Sequence, residues 1–111
     1  MEISTKQYKS CDLISVSDRV DSSTSPQFNE ALEAITGSGR HNIVVDMTKL
    51  EYMSSAGFRA LLSAQKECKK FGRGEVVLAA VPERVKEALE LAGFTELFKV
   101  FENTMDAVGN F

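Results

Sequence analysis

Apolar residues fall at helical spacing in three stretches of this chain and run side by side in two others. Phe28, Ala31, Leu32 and Ile35 recur at i, i+3, i+4 and i+7. That is the stripe of an amphipathic helix, opened by Pro26 behind a Thr24 or Ser25 cap and stopped by Gly37 and Gly39. A second helix is predicted from Ala56 to Phe71, with Leu61, Ala64, Cys68 and Phe71 inward, Phe58 and Leu62 flanking them, and Arg59, Lys66, Lys69 and Lys70 on the opposite face. A third opens at Pro82, buries Val85, Ala88, Leu89 and Ala92, and stops at Gly93. Between them, Ile43-Val44-Val45 within Asn42 to Asp46, and Val76 to Ala80 within Glu75 to Val81, are unalternating runs. Such runs suit strands covered on both faces.

The ends of the chain carry weaker patterns. Ile3 to Tyr8 and Leu13 to Ser17 read as two strands joined by a tight hairpin connection at Lys9 to Asp12, with Arg19-Val20-Asp21 ending the second. Ser22 to Ser25 is a polar loop. Phe94, Leu97, Phe98, Val100 and Phe101 form an apolar cluster around a short last strand, and Thr104 to Asn110 makes a terminal helical turn or two. Alternating strand and helix demands right-handed crossovers and mostly parallel pairing. The predicted fold is therefore α/β: a small mixed sheet of about four to five strands packed with about four helices.

Composition narrows the picture. At 111 residues the chain is read as a single domain, residues 1–111, with one core of its own. A net charge of -3 argues against nonspecific nucleic-acid or anionic-membrane binding, both of which need a basic face. No apolar run approaches the roughly 18 residues of a membrane span, and Met1 to Lys6 lacks the layout of a secretory signal. Cys11 and Cys68, far apart and in no metal spacing, read as free thiols of a reducing cytoplasm. No metal site and no cofactor motif is expected.

The candidate chemistry sits between the first buried strand and the second helix, at Met53-Ser54-Ser55-Ala56-Gly57. The carboxyl end of a central strand is where open α/β sheets hold their sites, and a helix start offers unpaired N–H groups and a positive dipole end. A serine there serves as a plain N-cap, as a nucleophile or as a phosphate acceptor. The nucleophile fails on distance. His41, the single histidine, lies at the far end of a strand of about five residues, roughly 16 Å away at 3.3 Å per residue, beyond the reach of a general base. No G-x-S-x-G elbow, P-loop or dinucleotide fingerprint occurs. Asp21 and Asp46 near the loop are too sparse to define paired-carboxylate chemistry. Local chemistry leaves a structural cap and a phosphate acceptor side by side, because a phosphoserine at a helix start is tolerated by the fold while it repels a docked partner.

The segment Ile43-Val44-Val45-Asp46-Met47-Thr48-Lys49-Leu50-Glu51-Tyr52-Met53-Ser54-Ser55-Ala56-Gly57 resembles the signature of STAS domains, and of bacterial anti-sigma factor antagonists in particular. Arg19-Val20-Asp21 with Ser25-Pro26, and Leu91 to Phe94 with Phe98, Val100 and Phe101, carry the likeness over nearly the whole chain. The resemblance implies a cytoplasmic, non-enzymatic regulator of transcription. It binds an anti-sigma factor that is itself a serine kinase, so that sigma is released, and it is switched off by phosphorylation and reset by a PP2C-type phosphatase. It implies Ser55 as acceptor, with Ser54 the second choice, since Ser54 stands where members often carry Asp. The partner surface it implies comprises Asp21, Met53, Ser54, Ala56, Gly57, Phe58 and Arg59. Met53 and Phe58 flank the serines as exposed contact residues, with core packing the alternative for Phe58. Arg59, Lys66 and Lys70 read first as a solvated helix face, with a contact surface for an acidic partner as the alternative. The alternative function is a scaffold or accessory STAS subunit of a sensor or lipid-transport complex, working without phosphate.

Overall fold

The computed structural model describes residues 1–111. Strands β1 (Ile3–Gln7) and β2 (Asp12–Val16) form the predicted antiparallel hairpin. A short β3 (Asp18–Val20) leads to helix α1 (Ser25–Gly37), then β4 (Asn42–Asp46), β5 (Leu50–Met53) and helix α2 (Ser55–Lys69). After a 3-10 turn at Lys70–Gly72 come β6 (Glu75–Ala79), α3 (Glu83–Leu91), β7 (Val100–Phe101) and α4 (Thr104–Gly109). The main sheet has the order β1-β2-β4-β6-β7, with every pair but the first parallel.

The unalternating runs have the predicted cause. In β4 and β6, Ile43, Val45, Val76 and Leu78 pack into the large cluster that α1, α2 and α3 cover. The residues between them, Val44, Val77 and Ala79, point into a second cluster closed by Ala107 of α4 and by Tyr8, Leu13 and Phe101. Both faces are dry, so neither strand has a polar register. Phe28, Leu32 and Ile35 of α1 are buried as its stripe predicts.

Several expectations are corrected. Arg19 and Val20 do not end β2; they form β3, which pairs in parallel with β5 as a separate ribbon, with Arg19 opposite Tyr52 and Val20 opposite Met53. The stretch between β4 and α2, read without a strand of its own, thus contains β5. Phe71 is not on the inner stripe of α2. The backbone turns left-handed there (φ 60°, ψ 20°), which ends the helical register and leaves the ring 86% exposed. Ala92 likewise lies past the end of α3 and is exposed.

Two buried polar groups, neither foreseen, tie the layers together. Asp12 is paired with Arg40, whose guanidinium also donates to the carbonyls of Tyr8 (2.5 Å) and Cys11 (3.2 Å), closing the hairpin underside. Gln65 of α2 is buried against β6 where β7 is too short to pair with it. The Val76 N–H donates to Gln65 Oε1 (2.6 Å), and Gln65 Nε2 donates to the carbonyls of Val76 (3.1 Å) and Leu97 (2.7 Å). The side chain stands in for missing ladder bonds. Gln65→Leu, close in volume, strands those groups in the core, so urea denaturation is expected to show a loss of about 2–3 kcal/mol. A loss under about 0.5 kcal/mol would mean that water or β7 replaces it.

Candidate functional site

The serines sit where the β3–β5 ribbon hands over to α2. The Ser54 N–H donates to the carbonyl of Val20 at the end of β3 (2.7 Å), which fixes the chain's exit from β5. Ser54 is the N-cap in extended conformation (φ -80°, ψ 173°), and its carbonyl accepts the first helical bond from the Phe58 N–H (3.1 Å). Its hydroxyl is buried and has no hydrogen-bond partner, and it does not cap the helix. Ser55 is the first residue of α2 and is exposed. Two adjacent hydroxyls thus have opposite environments.

The approach of the helix to the ribbon depends on Gly57. A Cβ at this position would stand 2.6 Å from Met53 Cγ and 2.9 Å from Val20 Cγ1. Met53 and Phe58 are both buried, and Phe58 packs edge-on to Phe94 with ring centroids 6.0 Å apart. Met53, read as exposed, is therefore core, and of the two roles left open for Phe58 the structure selects core. With Gly57 they form the buried floor under the serines. Ala56 and Arg59 instead line a shallow groove of about 440 Å³ with Ser25, Pro26 and Asn29 of α1.

Asp21, in the loop after β3, has one carboxylate oxygen, Oδ1, held by its own loop. It accepts from the Ser23 N–H (3.0 Å) and hydroxyl (2.7 Å) and from the Thr24 N–H (3.2 Å) and hydroxyl (3.2 Å). These bonds, the Ser23 hydroxyl first, hold its pKa below the ordinary carboxylate value. A depressed carboxylate stabilises the loop above its unfolded pKa, and that support fades as pH falls through the folded value. Asp21 therefore shapes the turn that feeds α1. Asp46 is similarly occupied, accepting from the Thr48 N–H (3.0 Å) and hydroxyl (2.5 Å) and the Ser15 hydroxyl (3.2 Å). The two acids serve two local turns.

His41 lies at the start of β4, in a cavity with Ser10, Cys11, Arg40 and Arg73 that contains neither serine. Both cysteines are free and buried. Burial, with help from Glu67, pushes the Cys68 thiol up to about 11, and burial followed by Asp12 raises Cys11. Neither is a nucleophile at neutral pH. One pair missed in the sequence borders the site: the Arg19 guanidinium stacks 4.5 Å from the centre of the exposed Tyr52 ring, across the ribbon. Only the unforeseen β3–β5 pairing brings these two together.

A ribbon-anchored helix start on a mixed sheet, with one presented hydroxyl, defines a scaffold that displays a serine. The family model for the STAS domain matches residues 2–107. The chain belongs to the STAS domain family. BtrV of Bordetella bronchiseptica, which bears an anti-sigma factor antagonist name, is 33% identical over 92 residues, 83% of this chain and 78% of that protein. Among solved structures, a Thermotoga maritima protein bearing the same kind of name matches with a TM-score of 0.90 at 15% identity, over 97% of this chain and 92% of its own. Bacillus SpoIIAA in its phosphorylated form matches with a TM-score of 0.77 at 14% identity, over 98% of each chain. Those two structural likenesses establish the fold. No helix of the chain is long and apolar enough to cross a membrane.

The unpaired hydroxyl and the close approach make opposite predictions. Removing an N-cap serine ordinarily costs about 1 kcal/mol, yet Ser54→Ala is expected to change stability by less than about 0.5 kcal/mol, because no cap bond is lost. Gly57→Ala is expected to cost about 1–3 kcal/mol by overpacking against Val20 and Met53. Urea denaturation of both variants checks the pair.

Proposed function

We propose that the chain is an anti-sigma factor antagonist, a cytoplasmic partner switch in transcription control. In its unmodified form it binds an anti-sigma factor that is a serine kinase, which releases sigma. The kinase then transfers the γ-phosphoryl group of ATP to Ser55: the Ser55 Oγ–P bond forms, the bond to the ADP oxygen breaks, and the hydroxyl proton passes to the kinase's base. The added charge of about -1.5 to -2 breaks the complex, and a PP2C-type phosphatase restores the serine. The domain contributes no catalysis of its own.

The observation that carries this reading is the contrast between the two serines. Ser55 offers an exposed hydroxyl at the first position of α2, whereas the Ser54 hydroxyl is buried beneath it. A kinase has to bring its phosphoryl donor in line with the accepting oxygen, and Ser55 is the one open to that approach. A phosphate at a helix start is also stabilised by the dipole, so modification spares the fold. The kinship with BtrV supports the class of partner.

Incubation with the cognate kinase and ATP, followed by mass-spectrometric mapping, is expected to place one phosphate on Ser55. The phosphate is expected to persist in Ser54→Ala and vanish in Ser55→Ala. No phosphate on Ser55 would sink the switch and favour the accessory-subunit role without phosphate. For affinity, Ser55→Asp is expected to weaken kinase binding at least tenfold, about 1.4 kcal/mol, while Ser55→Ala keeps it. Equal binding by both variants would place this loop outside the interface.

A further inference from the structure

Arg59 stands one helical turn beyond Ser55 on α2, and both side chains are exposed. Residues at i and i+4 are neighbours on a helix surface, about 5–6 Å apart at Cβ, and an anion N-terminal to the cation is the favoured order. Arg59 takes part in none of the ion pairs of the chain, which engage Met1, Arg40, Arg73 and Lys99. The other arginine bordering the site, Arg19, is already stacked on Tyr52. The groove beside Arg59 is lined by Ser25, Pro26, Asn29, Ala56 and Ala60 and by no carboxylate. The nearby acids are oriented elsewhere: Glu33 of α1 is held by the Asn29 amide (2.6 Å), Asp21 by Ser23 and Thr24, and Glu30 lies outside the groove lining. A guanidinium in no ion pair therefore borders a groove without carboxylates, one helical turn from the exposed Ser55.

We propose that Arg59 is the intramolecular receiver of the phosphoryl group on Ser55, and so a positioning residue of the switch. This rests on the assignment of Ser55 as acceptor. Guanidinium and phosphate match in a planar two-point pair that lysine meets only as a point charge. Pairing draws the phosphate along α2 instead of leaving it free over the ribbon. It also removes the cation that the unmodified face offers to a partner's carboxylates. One modification thus adds negative charge and withdraws positive charge at the same spot.

The test bypasses the kinase. Phosphoserine is installed at position 55 during translation in the full chain, and its second ionisation is followed by phosphorus NMR as pH is varied. Pairing with Arg59 favours the dianion, so Arg59→Gln is expected to raise the titration midpoint by roughly half a unit. Arg59→Lys is expected to fall between the two. Chemical denaturation of the unmodified variants, expected to match wild type, shows that the fold is intact. Identical midpoints in wild type and Arg59→Gln would overturn the pairing. A failure of the kinase to modify Ser55 would overturn the functional reading while leaving the measured pairing in place, so the two failures are distinguishable.

Discussion

The helix that presents Ser55 begins where it does because Gly57 has no side chain. Val20 and Met53, the last residues of the two ribbon strands, approach this position so closely that a Cβ would stand within 3 Å of both. The contact closes a circuit: β3 reaches β5 in parallel, the Ser54 N–H bonds back to Val20, and α2 descends onto the core through Phe58 and Leu61. Any loosening here would move the serines relative to the sheet. The rest of the architecture, dry on both faces of β4 and β6, provides the rigid body against which this placement is held.

Such rigidity constrains how a modification is read. Ser54 is tied through its backbone, with its hydroxyl facing inward, so the first turn of α2 has no slack to absorb a charge by rearranging. A phosphoryl group on Ser55 has solvent, the free N–H groups of the helix start and Arg59 around it, and stays on the surface. The proposed signal is then electrostatic and steric at the interface. That agrees with a switch whose two states share one fold.

Much of this was legible in the chain. The double-sided burial of β4 and β6 is written in unbroken apolar runs, and α1 in a stripe that ends at glycines. The ribbon was not. Leu50–Met53 has its apolar residues only at the two ends, and Asp18–Val20 is three residues long, so each is below the length at which period-2 patterning speaks. Their pairing is set by tertiary closure over about thirty residues. The same holds within the site. Position singled out the serine pair, but which hydroxyl faces out depends on where the helix starts. Helical periodicity carries the predicted stripe onto Phe71, where the backbone turns left-handed, a turn that nothing in a Phe announces.

Charge shows the same difference between sequence and surface. A net charge of -3 describes the chain as a whole, yet Arg59 on the exposed face of α2 takes part in no ion pair, Arg19 is stacked on Tyr52, and the Oδ1 of Asp21 is held by Ser23 and Thr24. Those bonds matter electrostatically as well as structurally. Bonds from Ser23 and Thr24 favour the charged form of the Asp21 carboxyl and turn its Oδ1 into its own loop. An acidic protein that presents a small positive face attracts a carboxylate-rich surface over a short range only, within about 8 Å at physiological salt. On the proposed function, docking there would be decided by contact geometry at the α2 start, where a phosphoryl group of about -1.5 to -2 charges outweighs the single charge of Arg59.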